Sequence, residues 1–155
     1  LPDGVTLAVD GCGNGWSLEP SSGHIYFLCH DPPVVVFQSA SLEDFLEQLK
    51  RQPSCSDLGE NLQRWTDRIW RENPATLSPE QAAMGDSVLA SFAAELGPDW
   101  WLIDLRQPSI GDGFSWGRYG PETEIRRHPE VAIVALRQPA AKPSLWRRLF
   151  GSKKQ

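Results

Sequence analysis

The residues best suited to chemistry sit late in the chain, where Gly113-Phe114-Ser115-Trp116-Gly117 spells G-x-S-x-G. In hydrolases this motif is a strained strand-to-helix turn that lifts a serine hydroxyl above a parallel sheet, within reach of a histidine base and an acid. His128 offers a base here, and Glu122, Glu124 and Glu130 offer acids. The setting argues against that use. Gly117-Arg118-Tyr119-Gly120-Pro121 cannot continue as the helix the motif requires, and the partners crowd into the few residues after Ser115. The stretch reads better as an antiparallel strand whose glycines make space for neighbouring aromatics, with a small serine hydrolase as the lesser alternative.

Other reactive side chains form no convincing set. His24, Cys29, His30 and Asp31 are zinc-ligand types, but His24 and Cys29 lie five apart and point to opposite sides of a regular strand. Asp99, Asp104 and Asp112 scatter around one strand and its loop, with no spacing that fixes a catalytic pair. Asp10-Gly11-Cys12-Gly13-Asn14-Gly15 is glycine-rich, yet Trp16-Ser17-Leu18 continues as strand rather than opening the helix that a phosphate loop needs. An EF-hand reading fails too, because Cys12 and Ser21 stand where oxygen ligands belong. A hairpin turn is expected, and neither catalytic residues nor a metal or cofactor.

The elements that would position these residues follow from apolar spacing. Val5, Leu7 and Val9 alternate with Thr6 and Ala8 as a half-buried strand, whereas His24 to Cys29 and Val34 to Phe37 are apolar on both faces and read as central, covered strands. Ser41, with Asp44 three residues on, caps a helix whose Leu42, Phe45, Leu46 and Leu49 are expected to cover the sheet. A second helix from about Asp57 to Asn73 buries Leu58, Leu62, Trp65 and Ile69, and its Arg64, Arg68 and Arg71 lie among acids as a solvated face. A third starts at Ser78-Pro79-Glu80-Gln81, buries Val88, Leu89, Phe92 and Leu96, and ends at Gly97-Pro98. Strands at 100–105, 113–119 and 131–136 complete the series. Their aromatics, Trp100, Trp101, Phe114, Trp116 and Tyr119, either fill a core between the halves or form a contact surface, and the core reading is preferred. The class is α+β: a mostly antiparallel sheet with helices packed on one side.

The first third of the chain resembles the SUKH superfamily, the Smi/Knr-type domain of cell-wall-assembly regulators and toxin-immunity proteins. The likeness lies in the turn from Asp10 to Gly15 before an aromatic strand, in Gly23-His24-Ile25-Tyr26-Phe27 leading to His30-Asp31, and in Ser41-Leu42-Glu43-Asp44-Phe45-Leu46. It implies a SUKH-like sheet and action by binding rather than catalysis. SUKH domains usually begin with a helical segment, which is missing before Val5, so part of the domain is left open upstream of Leu1.

At 155 residues the chain reads as one α+β domain over 1–139, with the SUKH-like part at about 1–52, an aromatic-rich extension at about 57–139, and a basic tail at 140–155. Ser144-Leu145-Trp146-Arg147-Arg148-Leu149-Phe150 in that tail reads as a flexible solubilising segment, with a weak membrane-surface helix as the other reading. Cys12, Cys29 and Cys55 are odd in number and lack C-x-x-C spacing, which fits a reducing, cytoplasmic setting. No run is long enough to span a bilayer. Residues 142–155 carry five cations and no acid, so removing them from the overall −5 leaves −10 on residues 1–141. Such a body should repel nucleic acid and attract a basic protein. The expectation is a non-catalytic immunity protein that neutralises a nuclease-type toxin, with a cell-wall-type regulatory scaffold as the alternative. Asp10, Asp31 and Asp112 near the sheet's turns, and Trp16 as an aromatic anchor, are the expected contacts.

Overall fold

The computed structural model describes residues 4–52, 55–72, 75–117 and 122–137. Its first four strands, β1 (Val5–Val9), β2 (Gly15–Leu18), β3 (Ile25–His30) and β4 (Pro33–Ser39), form an antiparallel meander. Gly13 and Gly23 make the first two turns at φ values of 87° and 75°, which a side chain would strain. Then come α1 (Leu42–Arg51), α2 (Cys55–Glu72), β5 (Thr76–Leu77), α3 (Pro79–Ala83), α4 (Ser87–Leu96), β6 (Trp100–Asp104), β7 (Gly113–Ser115), β8 (Glu124–Arg127) and β9 (Ile133–Arg137). The protein is α+β, and every strand pair among the described residues is antiparallel.

The strands make two sheets, ordered β1-β2-β3-β4-β7 and β5-β6-β9-β8. Alternation along each central strand explains how they stack. Tyr26, Val35, Phe37 and Phe114 of the first sheet meet Ile103, Val134 and Leu136 of the second in one buried cluster. The intervening residues face away from it. Phe27, Cys29, Val34 and Val36 pack on Leu62 and Ile69 of α2, while Trp100, Leu102, Ile133 and Ala135 pack on Ala82, Leu89 and Phe92 of α3 and α4. The order is therefore helix, sheet, sheet, helix, and each sheet carries its helices on one side. The aromatic half divides accordingly: Trp100 and Phe114 are core, whereas Trp101 and Trp116 are exposed. The extension also divides, since α2 and β7 complete the first sheet and its other strands build the second.

Several local expectations are corrected. The third helix is two, because Gly85 closes so tightly that a Cβ there would meet Leu89 Cδ2 at 2.7 Å, and Asp86 then caps α4 by accepting from the Val88 and Leu89 amides. Arg106, just past β6, pairs with Asp86 at 2.6 Å and Asp104 at 2.5 Å, and its hydrogen bond holds the Asp86 carboxyl at about 2. The leucine face of α1 does not cover the sheet: Phe45 is buried, but Leu42, Leu46 and Leu49 are 42%, 48% and 39% exposed. The strand β1 is an exposed edge rather than half-buried, with Val5 and Val9 open to solvent. The glycines flanking Ser115 make room for β4 and α2, not for aromatics, as a Cβ on Gly113 would sit 1.9 Å from Val35 O and one on Gly117 2.2 Å from Pro33 Cγ. Tyr119 and the tail at 140–155 lie outside the described residues.

Candidate binding surfaces

Two of the expected contact acids come together at one end of the first sheet. Asp10 Oδ1 accepts from the amides of Cys12 and Asn14 at 2.8 and 2.9 Å, and Oδ2 accepts from Asn14 Nδ2 at 2.9 Å. These bonds, the Asn14 side chain's foremost, hold the Asp10 carboxyl below its ordinary range although it is exposed. Asn14 Oδ1 in turn accepts from the His30 amide at 3.1 Å and lies 2.9 Å from His30 Nδ1. The first turn is thereby locked to the end of β3, where Asp31 follows, exposed. Asp10 and Asp31 form a fixed anionic end. Asp112 is not part of it. It sits at the other end of β4, where its carbonyl accepts from the Phe37 amide, its carboxylate accepts from the Ser109 amide at 2.8 Å, and Arg68 approaches to 3.4 Å.

Beside that end runs an apolar groove of about 530 Å³ between the sheets. Its floor is one row of paired residues crossing all five strands, Val9, Gly15, Leu28, Val35 and Phe114. Ile125, Arg127 and Val134 line the opposite wall. One end is tied by Glu19, which is 3% exposed yet ionised. Its carboxylate accepts from Arg127 Nη2 at 2.5 Å, from the Ser21 hydroxyl and amide, and from Ser22. Burial pushes this carboxyl up, but those donors outweigh it and bring it down to about 2. The other end is open, and Val9, Trp116 and Ile125 remain 69%, 37% and 45% exposed there.

The opposite face of the first sheet carries a second apolar patch. Trp16 turns toward the helices, its ring 5.1 Å from Phe27 and 6.3 Å from Phe45. It is half-buried, and its Nε1 is buried with no hydrogen-bond partner among the described residues. The exposed Leu42, Leu46 and Leu49 of α1 belong to the same helix as Phe45, interleaved with Glu43, Asp44 and Glu47. Sequence reasoning missed this surface because an amphipathic spacing says which side chains share a face, not whether that face is covered.

The hydrolase residues do not assemble. Ser115 is fully buried on the α2 side of the first sheet, where its hydroxyl donates to Pro33 O at 3.3 Å. His128 stacks edge-on against Phe92 at 5.0 Å, on the α4 side of the second sheet. Both sheets separate them. The candidate zinc ligands diverge as well: His24 packs on Phe37, Cys29 is buried against α2, and His30 bonds Asn14. No protein-family model, curated protein or solved structure matches this chain. Function must therefore be argued from these surfaces, and among the described residues no helix is long and apolar enough to cross a membrane.

Proposed function

We infer that this chain is a non-catalytic protein-binding module whose partner is a basic protein, in the manner of an immunity protein that neutralises a nuclease-type toxin. The observation that carries the reading is the open leucine stripe of α1 threaded with Glu43, Asp44 and Glu47, an apolar contact already dressed in negative charge. An exposed stripe of this kind is costly in a molecule that works alone. The −10 body and the fixed Asp10–Asp31 end add a long-range field that speeds encounter with a cation-rich surface. The SUKH resemblance supplies the toxin class, since inhibition by occupying a toxin's surface is how immunity members of that superfamily act.

The test is co-expression with the product of the adjacent reading frame, followed by co-purification. Wild-type protein should hold that product and protect the cell, and the double substitution Leu42→Asp with Leu46→Asp should lose it at least tenfold while the melting temperature stays within about 2 °C, as expected for exposed sites. Asp31→Lys is the cleaner charge probe, because reversing Asp112 would also break its contact with Arg68. It should slow association several-fold at low salt and have little effect at high salt. Unchanged binding by the leucine variant rejects the surface, and an adjacent product that does not bind rejects the toxin reading.

A further inference from the structure

We propose that the outer edge of β1 takes up an extended segment of the basic partner as an added antiparallel strand, a second contact that rests on the binding reading above. Among the described residues the two sheets end in four edge strands, β1 and β7 in one, β5 and β8 in the other. An open edge offers a row of unpaired amides and carbonyls, and proteins commonly blunt it by shortness or by charge. Three of the four follow that rule: β7 has three residues, β5 has two, and β8 reads Glu-Ile-Arg-Arg. The edge at β1 does not. It runs five residues as Val-Thr-Leu-Ala-Val without a charge or a proline, and four of them are exposed. Its guard is a bulge at Leu7, where Thr6 pairs with Ser17 and Ala8 with Trp16.

The surroundings of that edge fix the chemistry of its occupant. Thr6 and Val9 both line the inter-sheet groove, so a strand laid beside β1 extends the groove floor and rests alternate side chains against Val9, which is 69% exposed. Those side chains should be uncharged and β-branched. The end of the edge sets the charge. Asp10 follows Val9 directly, its carboxylate fixed by the Cys12 and Asn14 amides, and Asp31 stands at the same end of the sheet. In an antiparallel pairing the incoming strand begins opposite that end, so lysine or arginine belongs at its leading residues. A second copy of this chain fits poorly, because the residues before its own β1, Asp3 and Gly4, bring no cation and its body carries the same −10. The edge also adjoins the surface already assigned to the partner. Ala8 pairs with Trp16, whose ring lies 6.3 Å from that of Phe45 on α1, so one protein can engage the edge and the leucine stripe together.

Residue-resolved hydrogen exchange on the full chain tests it, with an acetylated, amidated peptide of two lysines followed by alternating threonine and valine as the probe. In the free chain the outward amides of β1 should exchange close to the unstructured rate, and saturating peptide should slow them at least tenfold while β8 amides stay unchanged. The same peptide with a central proline cannot complete the pairing and should have no effect. With glutamates in place of the lysines it should bind at least tenfold more weakly at low salt. Leu42→Asp with Leu46→Asp should bind the lysine peptide as wild type does, so failure of the edge and failure of the α1 surface are read separately. Peptide binding alongside an adjacent gene product that does not bind keeps the edge and rejects only the toxin. Unslowed β1 amides, equal slowing by the proline peptide, or equal binding of the lysine and glutamate peptides overturns the proposal. Full protection of β1 in the free chain also overturns it: constant with protein concentration, it assigns the edge to the chain itself, and growing with concentration, to a second copy.

Discussion

Gly113→Ala is expected to lose about 3 kcal/mol of stability or more, a large share of what a domain of this size possesses. The added Cβ would stand 1.9 Å from the Val35 carbonyl oxygen, 2.9 Å from the carbonyl carbon and 3.0 Å from Ile69 Cδ1. None of these is the far end of a long flexible chain, so β7 must move away from β4. Phe114 then leaves the inter-sheet cluster and the floor of the groove together. Gly59→Ala is the contrasting control. Nothing lies within 4 Å of that exposed helical position, and alanine there should raise stability by about 0.5–1 kcal/mol through better helix propensity. Urea unfolding midpoints decide the matter, and a Gly113→Ala midpoint equal to wild type would show that β7 does not pair as described.

The second large effect concerns acid. Glu19 has a carboxyl at about 2 in the folded protein against an ordinary 4.5, so the folded state binds its proton less readily than the unfolded chain does. Its contribution to stability is complete above pH 4.5 and drains away as pH falls toward 2, roughly 3 kcal/mol in all. Glu19→Gln should therefore be less stable near neutrality by a similar amount, because it leaves Arg127 without its carboxylate at a cross-sheet contact. It should also flatten the stability profile between pH 4.5 and 2 relative to wild type. Parallel profiles for the two proteins across that window would remove Glu19 as the acid-sensitive tie.

How much of this was legible beforehand depends on whether a residue's neighbours are close in sequence. The helix start at Ser41 is local, and its side chain does accept from the Asp44 amide. The unbroken apolar runs of β3 and β4 correctly announced strands covered on both sides. They could not announce by what, since a helix and a second sheet ask the same thing of a side chain. That ambiguity hid the two-sheet arrangement. The strand β8 escaped notice because Glu-Ile-Arg-Arg has one apolar residue, and its place is set by Arg137 pairing with Glu124 and Arg127 with Glu19 over long sequence separations. Of the expected contacts, Asp10 and Asp31 do share an end. Trp16 belongs to a patch on the helix side, and Asp112 is occupied elsewhere. Turn chemistry placed the first pair, while the fate of the others was decided by α1 and Arg68.

The double coverage of the middle strands has a consequence for how the chain finds its alignment. In most sheets a slip by one residue is forbidden because it would push greasy side chains into water and polar ones inward. Here both sides of Tyr26-Phe27-Leu28-Cys29 are oily, so a slipped hairpin keeps its solubility balance and only its shapes go wrong. Fidelity then leans on shape, and where β7 joins β4 a bare hydrogen at residue 113 admits the Val35 carbonyl. A chain proofread by size in this way should tolerate many exchanges among hydrophobic residues of like volume, yet hardly any change at tight gaps such as Gly113 and Gly117.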